Sequence, residues 1–552
     1  MNWHQCRTLP SLGEGKAAHF KKFRSDESGG ITIMFLIVFI GIIAFCGLGV
    51  DLMRNEMKRA HLQATLDRAI LAAADLEQEL DPASVVQDYF DKSGLGDALS
   101  STTVDQGLGY RVVSASASET SETLFLGLAG IQEITAPAAG EAAERMGNVE
   151  ISLILDRSGS MGWNSVSGLP TKIENLQVAA NEFIDTVVQG PGAPSLTTVS
   201  LVSYNATVSL GPVLSSYFNL SAEHNYSSCA IFPDSAFNTL GISRTETLDR
   251  LSHFDIQTTS ENTTEILHPW CPDDSYGATI VHSSDPDELH AAINALGADG
   301  NTAIDLGMKW GTALLDPSAQ DLVSDMITDG HIDAVAAGRP VAYDDSETLK
   351  IIVLMTDGEN TTEYDLVPHL QTGDSDVWID DRGDSDPSND RFSSRIVDLP
   401  GDLLDVYYWD RFETGRFNQR YRNTPDGAAA ARRMTNPEVY ARFGTRALSN
   451  KLFRTPYNNG QLPWSEYSDV YYAYQGIVGA DHADNRLSTI CQGARDAGII
   501  VFTIGFEAPQ RGLDAMRDCA SSPAHYFDVE GIEITQAFDS IARTITQLRL
   551  TQ

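Results

Sequence analysis

Along this chain the spacing of hydrophobic positions changes character several times, and each change predicts a different kind of element. Residues 31–50 form an uncharged apolar run whose length suits one membrane-spanning helix. Over 51–80 the pattern becomes amphipathic, with Leu52, Leu62, Leu66, Ala69, Ile70 and Ala73 largely on one helical face. No Pro or Gly separates this stretch from the membrane segment, so one long helix is expected to leave the bilayer as a stalk. Asp81-Pro82 is a helix-opening signal, and a short helix should run to Phe90. Alternating stretches at 110–117 and 122–128, with Ser/Thr-rich breaks, predict a small α+β module over 81–147.

Beyond Gly147 the apolar positions come in short unbroken runs. Residues 149–155 and 349–355 are dominated by branched side chains and read as strands buried on both faces. Further strands are expected at 198–204, 499–506 and near Tyr526, with an edge strand at 206–210. Helical patterns at 172–188, after Thr302, at 487–497 and at 532–550 alternate with them. Alternation of this kind predicts a doubly wound, mostly parallel α/β sheet of Rossmann type over 148–552. Two stretches interrupt it, about 212–285 and 363–484, and loops this long carry structure or function of their own. In the second, Tyr407, Tyr408, Trp409, Tyr471, Tyr472 and Tyr474 read as insertion core. Its Asp374, Asp376, Asp380, Asp381, Asp384, Asp386 and Asp390 read as a solvated acidic loop, with Ca²⁺ binding as the competing reading.

With 38 Lys and Arg against 76 Asp and Glu, the formal net charge of −38 repels nucleic acid, and no basic patch offsets it. Basic residues in segment 1–30 favour a cytoplasmic N-terminus, leaving everything after the span outside the cytoplasm. A cleaved signal peptide is the alternative, but the apolar run is long and no small-residue cleavage site follows at once. Cys6 precedes the apolar run and Cys46 lies within it. Cys229, Cys271, Cys491 and Cys519 all follow it, an even number that fits disulfides in an oxidising space. Of the three connectivities, Cys229–Cys271, both inside the first insertion, with Cys491–Cys519 is favoured.

The candidate chemistry sits at the ends of the two buried strands. Asp156-Arg157-Ser158-Gly159-Ser160-Met161 places a carboxylate and two hydroxyls at i, i+2 and i+4, a spacing that turns all three toward one point in an extended loop. Hard oxygen donors of this kind suit Mg²⁺ and, less selectively, Mn²⁺ or Ca²⁺. Gly300-Asn301-Thr302 adds a third hydroxyl at a helix start, and Thr356-Asp357-Gly358-Glu359 ends the second strand. This D-x-S-x-S, then T, then D order resembles the metal-ion-dependent adhesion site of von Willebrand factor A domains. The resemblance implies a cation held by Asp156, Ser158, Ser160, Thr302 and Asp357, some carboxylates acting through water, and one position left for an acidic residue of a protein partner.

A second resemblance lies at the N-terminus. Gly29-Gly30-Ile31-Thr32-Ile33, the apolar run, Gly49-Val50-Asp51, Leu62-Gln63-Ala64 and Leu66-Asp67-Arg68-Ala69 are similar to TadG-like Flp pilus-assembly proteins, which have a pilin-like membrane helix. The stretch from Thr302 to Gly311 with Leu314-Leu315-Asp316-Pro317 is similar to the TadG-like version of the A domain. These resemblances imply a single-pass protein of the bacterial cell membrane that works with other Tad/Flp components in adhesion or assembly. The alternative is a structural organiser of the secretion machinery in which the metal only stabilises the fold. An enzyme is not expected: there is no H-E-x-x-H, nucleophile elbow or P-loop, and no His base near the ligand set.

Overall fold

The computed structural model describes residues 30–550 except 76–77, 79, 108–109, 146, 167, 190–196, 273–274, 346, 397–405 and 413–415. Segment 1–30, Gly30 apart, lies outside the described residues. The chain divides into two compact units, Met1–Arg145 and Met146–Gln552.

The first unit is built on one unbroken 45-residue helix, α1 (Gly30–Ala74). Its first half exposes nearly every apolar side chain. Among the described residues it is the helix long and apolar enough to cross a membrane. Its second half buries Leu62, Leu66, Ala69, Ile70 and Ala73 against helix α2 (Pro82–Lys92) and an antiparallel sheet. Asp81 caps α2 by accepting the Ser84 N–H at 2.9 Å. The sheet runs in the order β1 (Leu99–Gly107), β2 (Tyr110–Glu122), β3 (Glu133–Arg145).

Two expectations are corrected here. The stretch 51–80 is not a free stalk: its apolar face is the core of the module expected to begin at 81, so the two are one unit. No strand runs over 122–128 either. Leu126–Ala129 form a 3₁₀ turn closed by Gly130 at φ 90°, and the partner of β2 is β3. β3 is alanine-rich, with Ala136, Ala138 and Ala142 inward, so its alternation has little contrast in hydrophobicity.

The second unit contains β4 (Asn148–Asp156), α3 (Lys172–Gln189), β5 (Thr197–Tyr204), β6 (Ile280–Ser283), α4 (Pro286–Asn294), α5 (Ile304–Ala313), β7 (Thr348–Thr356), α6 (Ala480–Asp496), β8 (Ile500–Phe506), α7 (Gln510–Cys519), β9 (Tyr526–Val529) and α8 (Glu533–Leu550). The sheet order is β6-β5-β4-β7-β8-β9, parallel except for β6. The fold is the doubly wound α/β sheet that the von Willebrand factor A resemblance implies, with the two insertions expected from the sequence. β4 and β7 lie at its centre, Ile151 opposite both Val199 and Ile351. Alternate residues feed two cores. Ile151, Leu153, Leu155, Ile351, Val353 and Met355 pack on the side of α3, α4 and α8. Ile154, Ile352 and Leu354 face α5, α6 and α7. Burial on both faces explains why these strands read as unbroken apolar runs, each large side chain contributing about 1.5–3 kcal/mol.

The edge strand expected at 206–210 is replaced by β6, and only a bridge between Tyr204 and Val208 forms there. The chain turns back at Asn205, whose N–H bonds the Thr207 carbonyl at 3.1 Å. Because β6 belongs to the core sheet, the first insertion ends before Ile280, not at 285. The insertions share one core, in which Phe254, Trp270 and the Cys229–Cys271 disulfide meet Leu366, Tyr440 and Phe443. The second insertion carries a five-stranded antiparallel sheet, and its Glu363–Leu366 strand pairs with Tyr474–Val478. Tyr408 and Trp409 are buried in it, whereas Tyr472 is exposed. Of the acidic group, Asp390 pairs with Arg442 at 3.0 Å and Asp376 with Arg395 at 2.9 Å, while Asp381, Asp384 and Asp386 are exposed. A second disulfide, Cys491–Cys519, ties α6 to α7.

Candidate metal centre

β4 and β7 are parallel neighbours, so their carboxyl ends lie side by side, where ligands bind in sheets of this kind. β4 ends in Asp156 and β7 in Thr356, with Asp357 next. Asp156 is fully buried. Its Oδ1 accepts the Ser158 N–H at 2.7 Å and its Oδ2 accepts the Thr356 hydroxyl at 2.7 Å. Ser158 Oγ lies 3.3 Å from Ser160 Oγ, and the Ser160 hydroxyl donates to Asp357 Oδ1 at 2.7 Å.

The third loop is stitched to the first two. The Gly159 N–H bonds the Gly300 carbonyl at 2.9 Å, and the Thr361 N–H bonds the Thr302 carbonyl at 2.9 Å. Gly300 sits at φ 79°, where a Cβ would also lie 2.9 Å from Asn205 Nδ2, so the turn into Thr302 needs glycine. The first turn of α5 takes its cap from Asn360, whose Oδ1 accepts the Ile304 N–H at 2.7 Å. A Cβ placed on Gly358 would lie 3.3 Å from Thr302 Oγ1 and 3.8 Å from Ser160 Oγ, so both hydroxyls lie beside Gly358. All five residues singled out in the sequence are thus gathered at the carboxyl ends of the two central strands. Asp156, Ser158, Thr302 and Asp357 are buried, and Ser160 is half-exposed, which puts the opening of the site at Ser160.

The electrostatics are those of an under-neutralised acidic pocket. Burial raises the pKa of Asp156, and the neighbouring Asp357 charge raises it further against the hydrogen bonds from Thr356 and Ser158. Burial also raises Asp357, with Glu507 adding to the effect while Lys172 and Ser160 oppose it. Two carboxylates and three hydroxyls, all hard oxygen donors, are the set that could hold Mg²⁺ or Mn²⁺, and a dication would supply the missing positive charge. Among the described residues no group of three or more His, Cys, Asp or Glu is placed to hold a metal.

Two participants escaped the sequence reading. Lys172 is buried at the start of α3, and its ammonium donates to Asp357 Oδ2 at 2.9 Å. Glu507 follows β8 in a left-handed conformation at φ 52°. It accepts from the Ser165 hydroxyl at 2.5 Å and the Gly531 N–H at 3.0 Å, and its backbone oxygen lies 3.4 Å from Lys172 Nζ. A signal existed for Lys172: a cation at a helix N-terminus opposes the helix dipole, a mismatch that asks for a local partner. Glu507 left none.

Against known proteins, residues 29–76 match the family described as putative Flp pilus-assembly TadE/G-like. That TadE/G-like match covers all of α1, both its exposed apolar half and the face that packs into the first unit. No curated protein matches the chain. Among solved structures, the chain is similar to the vWF domain of the type V pili tip protein Mfa5 from Porphyromonas gingivalis, at 15% identity and TM-score 0.31, covering 73% of this chain and 96% of that one. It is also similar to the pilus adhesin SpaC from Lactobacillus rhamnosus GG, at 11% identity and TM-score 0.30, covering 81% of this chain and 34% of that one. A third is the PilB minor pilin from Streptococcus sanguinis, at 14% identity and TM-score 0.28, covering 82% and 78%. The fold assignment rests on the strand order given above.

Proposed function

We propose that this is a single-pass, membrane-anchored protein associated with a Tad/Flp pilus, and that its C-terminal unit binds a protein partner through a divalent cation. Asp156, Ser158, Ser160, Thr302 and Asp357 would hold the ion, Mg²⁺ foremost. The ion's chemistry is that of a hard Lewis acid that accepts a carboxylate oxygen from the partner. The observation that carries the reading is the meeting of two buried carboxylates with three hydroxyls at adjacent strand ends, open at Ser160. Trp163 supports it. Its N–H bonds the Ser160 carbonyl at 3.0 Å and its side chain is 67% exposed, placing a large aromatic surface beside the opening. The role is binding rather than catalysis, with the N-terminus cytoplasmic and the second unit outside.

One observation favours the structural alternative: Lys172 already brings a positive charge to Asp357 and ties α3 to the site. Capture of envelope proteins on the immobilised full chain separates the two. The adhesion reading expects pilus components to be retained in Mg²⁺ and lost with a chelator or with Asp156→Ala. Retention that ignores both would leave the organiser role.

A further inference from the structure

The hairpin between β2 and β3 ends in an uncharged, largely apolar turn. Residues 123–132, Thr-Leu-Phe-Leu-Gly-Leu-Ala-Gly-Ile-Gln, carry no charged side chain. Leu124, Leu128 and Ile131 are 62%, 86% and 48% exposed. Four large apolar residues, these three with Phe125, on one short turn would be a liability in water.

The turn is laid against α1 at the end of its apolar half. A Cβ on Gly47 would lie 2.3 Å from the Phe125 ring, so only glycine admits the ring there. Ala44, Phe45 and Leu48 of the helix face Phe125, Leu128 and Ala129 across a groove of about 350 Å³. One turn further along, Asp51 Oδ1 accepts the Leu124 N–H at 3.0 Å, and its Oδ2 accepts the Phe125 and Leu126 N–H groups at 2.7 and 2.8 Å. Leu128, Gly130 and Ile131 donate to carbonyls inside the same turn. Six backbone donors of the turn are therefore tied, three to Asp51 and three within the turn, while Leu124, Leu128 and Ile131 point out. A segment that enters lipid needs this arrangement, because hydrocarbon offers backbone groups no partner.

We propose that the tip of this hairpin is embedded in the membrane leaflet at the C-terminal end of the α1 span, with Leu124, Phe125, Leu128 and Ile131 among the lipids. The inference rests on reading residues 31–50 as the span, since the tip's height is fixed by its contacts at Gly47 and Asp51. Arg54, Lys58 and Arg59 follow on the same helix, at the level of lipid phosphates. Asp51 is a positioning residue that holds the turn at that depth. The first unit then grips the membrane at two points, which fixes its orientation as one helix cannot.

The test uses the full chain in phosphatidylcholine–phosphatidylglycerol vesicles, with Cys6→Ser and Cys46→Ser removing the other thiols outside the disulfides. An environment-sensitive fluorophore is placed on Leu128→Cys, on Ile40→Cys in the span, or on Ser118→Cys away from the tip. The expected result is lipid-nitroxide quenching at 128 with a shallow nitroxide, at 40 with a deep one, and at 118 with neither. Quenching at 40 but a water-exposed, unquenched label at 128 overturns the tip proposal alone. No quenching at 40 overturns the span reading itself. A label at 128 shielded from water yet untouched by nitroxide lipid puts protein there, either a partner or a second copy, and also overturns the proposal.

Discussion

Lys172 is the residue at which the chain's own chemistry and that of a bound cation meet. Its ammonium, 2.9 Å from Asp357 Oδ2, neutralises part of the charge that a divalent ion would otherwise answer. Lys172→Met should therefore destabilise the metal-free chain, by about 3 kcal/mol if the cost is that of leaving one member of a buried pair alone. Mg²⁺ should then recover more stability in the variant than in the unmodified chain. Thermal melts with and without Mg²⁺ read this directly, and equal metal shifts in both proteins would contradict it.

A second residue-scale prediction concerns Asp255, which organises the first insertion. Its carboxylate accepts the N–H groups of Gln257, Thr258, Leu267 and His268 and the Thr258 hydroxyl. Burial pushes its pKa up, but these donors outweigh burial and hold it below the ordinary range. A depressed folded value makes its stabilisation complete above the unfolded pKa of about 3.9 and lost as pH falls through the lower folded value. Asp255→Asn should thus cost about 2 kcal/mol at pH 7, the scale of hydrogen bonds to a charged group, and much less near pH 2. Unfolding followed across that range checks the sign. Nothing in the sequence marked Asp255, because its partners lie in an irregular loop whose turns have no periodicity. The five candidate ligands were legible for the opposite reason: each sits within a few residues of the end of a regular element, Asp156, Ser158 and Ser160 at or after the end of β4, Thr302 before α5 and Asp357 after β7.

At the scale of elements, α5 shows how closely a helix can ride on the sheet. A Cβ on Gly311 would lie 2.3 Å from Ile154 Cδ1 and 2.8 Å from Ser152 Oγ, and one on Gly307 would meet the Tyr204 ring at 2.7 Å. Gly311→Ala should push α5 outward and destabilise the second unit by about 2 kcal/mol, the usual scale of overpacking. Gly479→Ala, where a Cβ meets open space, should change stability by less than half as much. Urea unfolding of the two variants decides, and equal midpoints would contradict the close approach. The central strands were readable because burial on both faces leaves a continuous apolar signature. β6 was not, since four residues after a 75-residue excursion carry no period, and the adjacent apolar stretch at 206–210 mimicked the edge it fills.

Over the whole molecule, the order anchor, small module, α/β unit was legible, but the partition was not. Residues 62–74 look like a stalk in isolation and become core only once β2 and β3, far along the chain, cover them. The insertions likewise looked separate, and their shared core depends on contacts such as Trp270 with Tyr364, 5.6 Å between rings, that no local pattern encodes. With a formal net charge of −38, a dication bound at a specific place must be distinguished from diffuse attraction to an acidic surface. Calorimetric titration of the purified chain with Mg²⁺ and with Mn²⁺ does so when run on Asp156→Ala, Thr302→Ala and Asp384→Ala alongside the unmodified protein. The account predicts one saturable site, lost in Asp156→Ala because charge and a coordinating group go together, weakened less in Thr302→Ala, and unchanged in Asp384→Ala on the exposed acidic loop. Binding by Asp156→Ala as tight as that of the unmodified chain would contradict it.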